Sequence, residues 1–163
     1  MADEYGTDAG FRTYHTARGS DVVAFTDPAI AAARLVASEW LDSRYKRSFP
    51  GLKVGQRSQI REWPRTGAID SNGYVIVSDS IPTEVENATY EAALRQLISP
   101  GSLSVDWTPN KYRRASVDGA VSVDYREFSS AAEVQTQFAI IDEILSVITC
   151  ADDSSPLSGG VCR

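Results

Sequence analysis

The sequence predicts a mainly α fold: a small helical bundle of about four to five helices with one short β-hairpin and a flexible C-terminal tail. Three observations predict it. Apolar residues recur at helical spacing over four stretches, Pro and Gly punctuate the gaps between them, and only one pair of short alternating runs reads as strands. With 163 residues and 42% apolar content the chain suits one ordinary core, and a chain of this length buries roughly 70% of its unfolded surface on folding. We expect one helical domain over residues 1–149 and a flexible tail over 150–163.

Thr7 or Asp8 caps a first helix carrying Phe11 and Tyr14, and Gly19 ends it. Asp27 is the expected N-cap of the second helix, with Pro28 at its first helical position. Ile30, Ala33, Ala37, Trp40 and Leu41 then share one face as far as about Tyr45. The Phe49-Pro50-Gly51 corner ends that helix, and a flexible link from Gly51 to Gly55 leads to a short helix from about Ser58 to Trp63.

A dense string of punctuation follows. Trp63-Pro64-Arg65-Thr66-Gly67 breaks the helix, and Asp70 with Asn72-Gly73 forces a tight turn. The β-branched run Tyr74 to Val77 is extended, and Ile81-Pro82-Thr83-Glu84-Val85 opens the next helix, with Pro82 presetting its first turn. That helix, from about Pro82 to Ser99, is apolar on two sides. Ile81, Val85, Ala88 and Ala92 form one stripe and Tyr90, Leu94, Leu97 and Ile98 another, which suits a helix shared between the core and a neighbouring subunit.

Two alternating runs around Asp118-Gly119, reaching Val117 and then Val121 to Tyr125, predict the hairpin. Ser130 with Glu133 is a capping box, and Val134, Phe138, Ile141, Leu145 and Ile148 extend an apolar stripe behind it through Thr149. Ala151 to Arg163 is Ser, Gly, Pro and Asp-rich and cannot offset its ordering entropy alone.

The inventory for catalysis is thin. His15 is the only histidine and reads as a packing residue; there is no Gly-rich phosphate loop, and Asp142 and Glu143 read as a solvated helix face. We expect no enzyme activity, no cofactor and no metal. Cys150 and Cys162 lie in or beside the tail and read as reduced and incidental. No run approaches a membrane span, and the acidic start lacks the features of a signal peptide, so use in a cytoplasm is expected.

The formal charge of −6 argues against a general nucleic-acid coat. It hides a local surplus: Arg44, Lys46, Arg47, Lys53, Arg57, Arg61 and Arg65 are seven of the sixteen basic residues, against Glu62 alone in that window. Tyr45, Phe49 and Trp63 are interleaved with them. Cations with stacking aromatics are what sequence-tolerant single-strand binding uses, so Arg44, Lys46, Arg47, Arg57, Arg61 and Arg65 are candidate phosphate contacts, with Tyr45 or Trp63 for stacking. The same aromatics also suit core packing, and the same arginines suit acids of an adjacent subunit or of a partner protein.

The ordered motifs, Trp63-Pro64-Arg65-Thr66-Gly67, Asp70 and Gly73, Ile81-Pro82 with Glu84-Val85, and the late basic stretch leading to Val121, Val123 and Tyr125, resemble a family of small tailed-bacteriophage proteins over roughly Phe11 to Thr149. Its members look like head-tail connector (adaptor) proteins, although the family often carries the label DnaT-like single-strand DNA-binding protein. The connector resemblance implies a virion neck protein assembled in the host cytoplasm as a homo-oligomeric ring of about twelve copies, each using two different faces. It further implies docking on the portal, a tail or second neck protein on the other side, and double-stranded DNA passing through the lumen without sequence-specific contacts. An acidic lumen would help DNA slide, and the C-terminal tail is the natural portal-docking segment, ordering on contact. The alternative is a single-strand DNA-binding replication accessory protein.

Overall fold

In the computed structural model, residues 4–104, 114–117, 121–124 and 136–149 are described. They form four helices, α1 (Asp8–Ala17), α2 (Asp27–Tyr45), α3 (Thr83–Ile98) and α4 (Ala139–Leu145). Between α2 and α3 lie two very short strands, β1 (Leu52–Lys53) and β2 (Arg65–Thr66), and between α3 and α4 lie β3 (Arg114–Val117) and β4 (Val121–Asp124). The chain divides into two units, residues 1–103 with 138–163 and residues 104–137. The first is the helical unit. The second contains the antiparallel β3–β4 pair, in register from Arg114↔Asp124 to Val117↔Val121, as the alternating pattern predicts.

In the helical unit α2 and α3 pack against each other, α4 lies on α3, and α1 touches both α2 and α3. The core is built from Phe11, Ile30, Ala37, Leu41, Val85, Ala88, Ala92, Ile141 and Leu145, all fully buried, with Trp63 and Tyr5 added from outside the helices. Small residues on facing helices let the axes approach: Ala33 and Ala37 on α2, and Ala88, Ala92 and Ala93 on α3, are all buried.

Thr7 caps α1, its Oγ1 accepting the Gly10 N–H at 2.9 Å, and Gly19 takes φ +76° beyond the helix end. At α2 the cap is Thr26 rather than Asp27, which is the first helical residue; its carboxylate receives Arg12 Nη2 at 2.6 Å instead. Pro82 is likewise the residue before α3, not its first residue. The two-sided pattern of α3 resolves mostly inward: Tyr90 is buried, Leu94 and Leu97 are half-buried, and Ile98 is exposed.

Two expected helices differ. Residues 58–63 form no α-helix; a 3₁₀ turn at Gln56–Ser58 stands nearby. Pro64 pushes Trp63 away from helical geometry, and the Gln59 amide takes over the local bonding, donating to Arg61 O and Pro64 O at 2.9 Å each while accepting the Gly55 N–H at 2.8 Å. The link from Gly51 to Gly55 is also more ordered than expected, because it holds β1. In the last described segment the helix spans Ala139–Leu145 and Phe138 stands outside it, packing edge-on against Trp40 with centroids 5.6 Å apart and beneath the Arg95 guanidinium. The capping box Ser130–Glu133 and residue Val134 lie outside the described residues, as do Cys150, Cys162 and the tail.

No helix among the described residues is long and apolar enough to cross a membrane.

Candidate functional site

The region from Arg44 to Val85 carries the Trp63–Gly67, Asp70–Gly73 and Ile81–Val85 motifs and the six candidate cations. Its frame is a small antiparallel arrangement in which Leu52 pairs with Thr66 and Lys53 with Arg65. The chain then runs through Gly67 (φ +70°) to Ala68–Asp70, which meets Tyr74–Ile76 through the Ile69↔Val75 bridge, the Asp70 N–H to Tyr74 O bond (2.9 Å) and the Ile76 N–H to Ala68 O bond (2.9 Å). Asp70 builds the turn between them: its Oδ1 accepts the Asn72 and Tyr74 amides at 2.9 and 2.8 Å, and Gly73 sits at φ +88°. The side of that turn is fastened to the end of the chain's last described segment, where Ser71 N–H bonds Val147 O at 2.8 Å.

Arg65 is the hub. It is buried, and its guanidinium donates to the carbonyls of Pro50 (2.7 Å), Gly51 (2.7 Å) and Phe49 (3.3 Å), and to Glu62 Oε2 at 2.8 Å. The planar fork suits a set of converging carbonyl oxygens. Lys53 bonds the other oxygen of Glu62 at 3.0 Å, so the carboxylate is shared by two cations. Gly51 is needed here: it sits at φ +70°, and a Cβ there would come within 2.4 Å of Thr66 O.

Trp63 joins this knot to the core. It is 1% exposed, lies edge-on to Phe49 at 5.6 Å, and follows a network fed from the N-terminal segment. Its backbone N–H donates to the Tyr5 hydroxyl at 3.1 Å, and that hydroxyl donates to Asp42 Oδ1 at 2.6 Å. Burial pushes both the Tyr5 hydroxyl and the Asp42 carboxyl upward; for Asp42 the hydrogen bond from Tyr5 and the nearby Arg61 pull the other way. Arg61 is buried within 3.5 Å of Asp42 and 3.6 Å of Glu39. The peptide before Pro64 is cis.

The six candidate cations therefore divide. Arg61 and Arg65 are engaged within the fold. Lys46, Arg47 and Arg57 are exposed, and Arg44 is half-buried with its guanidinium 5.7 Å from the rings of Trp40 and Tyr45. Of the stacking candidates, Trp63 is closed off, and Tyr45 is half-buried with its hydroxyl donating to Asp142, which departs from the fully solvated role expected for that acid. Burial first, then the Asp142 bond, pushes the Tyr45 hydroxyl upward.

Two sets of residues escape sequence reasoning. Tyr5 and Arg34 look peripheral in the chain and are buried, Arg34 holding Tyr5 O (3.0 Å), Gly6 O (2.8 Å) and Asp8 (2.8 Å), whereas His15 is the packing residue expected, buried with its Nε2 3.0 Å from Tyr90 O. Conversely Leu52, Val54, Ile60, Ile69, Tyr74, Val75 and Val77 are apolar and exposed, with Ile60 and Val75 each at 74%. A β-branched run signals extended chain but not which side faces a core. Among the described residues no three metal-ligating side chains converge.

The model of one protein family, described as "Putative DnaT-like ssDNA binding protein", matches residues 1–163. No curated protein and no solved structure matches the chain.

Proposed function

The chain belongs to the DnaT-like ssDNA-binding protein family, and within that family we propose, from its surface and its motifs, that it acts as a structural assembly subunit of the head-tail connector type, seated between a phage portal and the tail. One observation carries the reading: at the Trp63–Gly67 knot Trp63 and Arg65, with Arg61 beside them, are turned inward, while the flanking segments show aliphatic side chains to solvent. Arg65 and Arg61 are buried against carbonyls and carboxylates, and Trp63 is 1% exposed. Around them Leu52, Val54, Ile60, Ile69, Val75 and Val77 are open. Exposed aliphatic patches of this kind mark protein partners rather than phosphate backbones. The connector assignment itself rests on the motif resemblance, and the ring of about twelve copies, the portal contact and the passing DNA come with it. A cryo-electron microscopy reconstruction of the neck of the parent particle tests it. Density for this chain in a ring between portal and tail is expected, and its absence from the particle overturns the proposal.

A second reading is single-strand DNA binding, favoured by the family's description and by Arg44, Lys46, Arg47 and Arg57, four cations at or near the surface in a stretch without an acid. Such a site would act through phosphate neutralisation with little base stacking, since Trp63 is enclosed.

A further inference from the structure

Charge in the Arg44–Val85 region is segregated along the chain. Residues 43–61 hold Arg44, Lys46, Arg47, Lys53, Arg57 and Arg61 and no acid, whereas residues 66–94 hold Asp70, Asp79, Glu84, Glu86 and Glu91 and no cation. Each segment carries its own exposed aliphatic set. On the basic side these are Leu52 (73%), Val54 and Ile60; on the acidic side they are Ile69, Val75 and Val77, joined by the aromatic Tyr74 (72%). Lys46, Arg47 and Arg57 are exposed at the first, and Asp79 at the second, with Asp70, Glu84 and Glu86 half-buried.

Both segments also present open backbone. Asp70 N–H and Ile76 N–H bond across the bridge to Tyr74 O and Ala68 O. Alternation along a strand then turns the Val75 amide and carbonyl to the outer side. On β1 the Val54 N–H bonds Pro64 O at 3.3 Å, which makes Lys53↔Arg65 the non-bonded pair and turns the Lys53 backbone outward. An edge with exposed β-branched residues and no proline on it is a template for pairing.

We propose that these two segments are the two halves of one self-contact: the basic, aliphatic Leu52–Ile60 segment of one copy seats on the aliphatic Ile69–Val77 edge of a second copy of this chain, with the acids Asp79 and Glu84 that follow that edge facing the cations. Charge complementarity selects the occupant. A basic partner fits only the acidic half and an acidic partner only the basic half, while a second copy answers both with one surface type. The aliphatic residues supply the buried area and the charges set the orientation. The inference deepens the assembly reading and rests on it.

The test uses full-length chains carrying Cys150→Ser and Cys162→Ser, with Ile60→Cys in one and Val75→Cys in the other, both at exposed positions. A short bismaleimide is expected to join the two variants when mixed far better than it joins either to itself. Charge reversal at Arg57 and Lys46 to Glu in one chain should remove the product, and Asp79→Lys with Glu84→Lys in the other should restore it. In sedimentation velocity, Val75→Glu should weaken self-association at least about tenfold while leaving the circular dichroism unchanged. Equal cross-linking within each single variant, no mixed product, or a Val75→Glu chain that associates as tightly as its parent overturns the proposal. Failure here leaves the neck reconstruction as a separate test of the connector reading, because a chain found in the particle without this contact would be held there by its neighbours.

Discussion

Arg65 offers the sharpest separation between a structural and a nucleic-acid role for the motif, and Arg65→Ala is the perturbation that shows it. The side chain makes hydrogen bonds to four main-chain carbonyls, Phe49, Pro50, Gly51 and Glu62, and a charge-assisted bond of 2.8 Å to the Glu62 carboxylate. Its side chain is 8% exposed, so little of this is screened. Truncation strands those carbonyls where water reaches them poorly and leaves Glu62 with Lys53 alone. Breaking a buried pair by removing one partner costs about 3–5 kcal/mol. Because Glu62 keeps its 3.0 Å contact with Lys53, the lower part of that range, about 3–4 kcal/mol, applies here. With a urea slope of about 2 kcal/mol per molar, the midpoint followed by circular dichroism should fall by roughly 1.5–2 M. Arg65→Lys keeps the charge beside Glu62 but loses the fork, and should cost about half as much. Arg57→Ala, at an exposed position, should stay within about 0.5 kcal/mol. An Arg65→Ala chain within about 1 kcal/mol of its parent would refute the hub assignment and make Arg65 available to a phosphate after all.

Trp63→Ala should destabilise by about 3–5 kcal/mol in the same titration, as for other large buried aromatics, and a loss under about 1 kcal/mol would mean the ring is not core. For the DNA-binding reading, oligo-dT binding through Arg44, Lys46, Arg47 and Arg57 predicts a log–log salt slope of about −3, from roughly 0.7 per phosphate contact on a single strand. The quadruple alanine variant should flatten that slope, and absence of binding by the parent at low salt sinks the reading. His15 titrates below its ordinary value because burial disfavours the imidazolium, with Tyr90 O and Glu91 opposing and Arg18 and Arg95 reinforcing. The unfolded chain therefore binds the extra proton, and stability should be full above about pH 6.5 and decline as pH falls below it. Asp42 and Glu86, both raised by burial, bend the profile the other way, and the comparison with His15→Gln cancels their contribution. Urea midpoints from about pH 7 to 5 should fall for the parent and stay nearer level for His15→Gln. Removing residues 150–163 should leave the thermal midpoint unchanged while abolishing portal docking; a truncated chain that still docks refutes the role of the tail.

The helices were legible where apolar spacing and caps agree. Ile30, Ala33, Ala37 and Leu41 on α2, and Val85, Ala88 and Ala92 on α3, are buried as their periodicity requires. The β3–β4 hairpin followed from two alternating runs. What failed was governed by contacts that residue types do not announce. Residues 58–63 carry helix-compatible side chains, yet Gln59 substitutes for backbone partners and Pro64 forbids the last turn. Phe138 fits the helical stripe expected behind Ser130, yet it packs on Trp40 outside helical geometry, and the described helix is Ala139–Leu145. The site was legible only in part, since the partners of Arg65 are mainly main-chain carbonyls, which leave no mark on residue identity. Tyr5 and Arg34 were hidden for the same reason: Arg34 bonds the Tyr5 carbonyl, and the Tyr5 amide bonds Ser38, 33 residues away.

The placement of Arg61 and Arg65 changes what the basic stretch can do. As a linear string, the seven cations from Arg44 to Arg65 form a phosphate track. In the fold, two are buried beside Asp42 and Glu62 and a third, Lys53, shares Glu62, so four remain for a partner. Among the described residues of that stretch the exposed apolar side chains interleaved with them are Leu52, Val54 and Ile60, and no aromatic is fully exposed. A rim of cations around aliphatic side chains resembles the anatomy of a protein interface, with an apolar centre and a charged border. The proposed self-contact uses this strip against the Ile69–Val77 edge of another copy, and the oligo-dT salt slope and the mixed cross-link decide between a strand and a second copy as its partner.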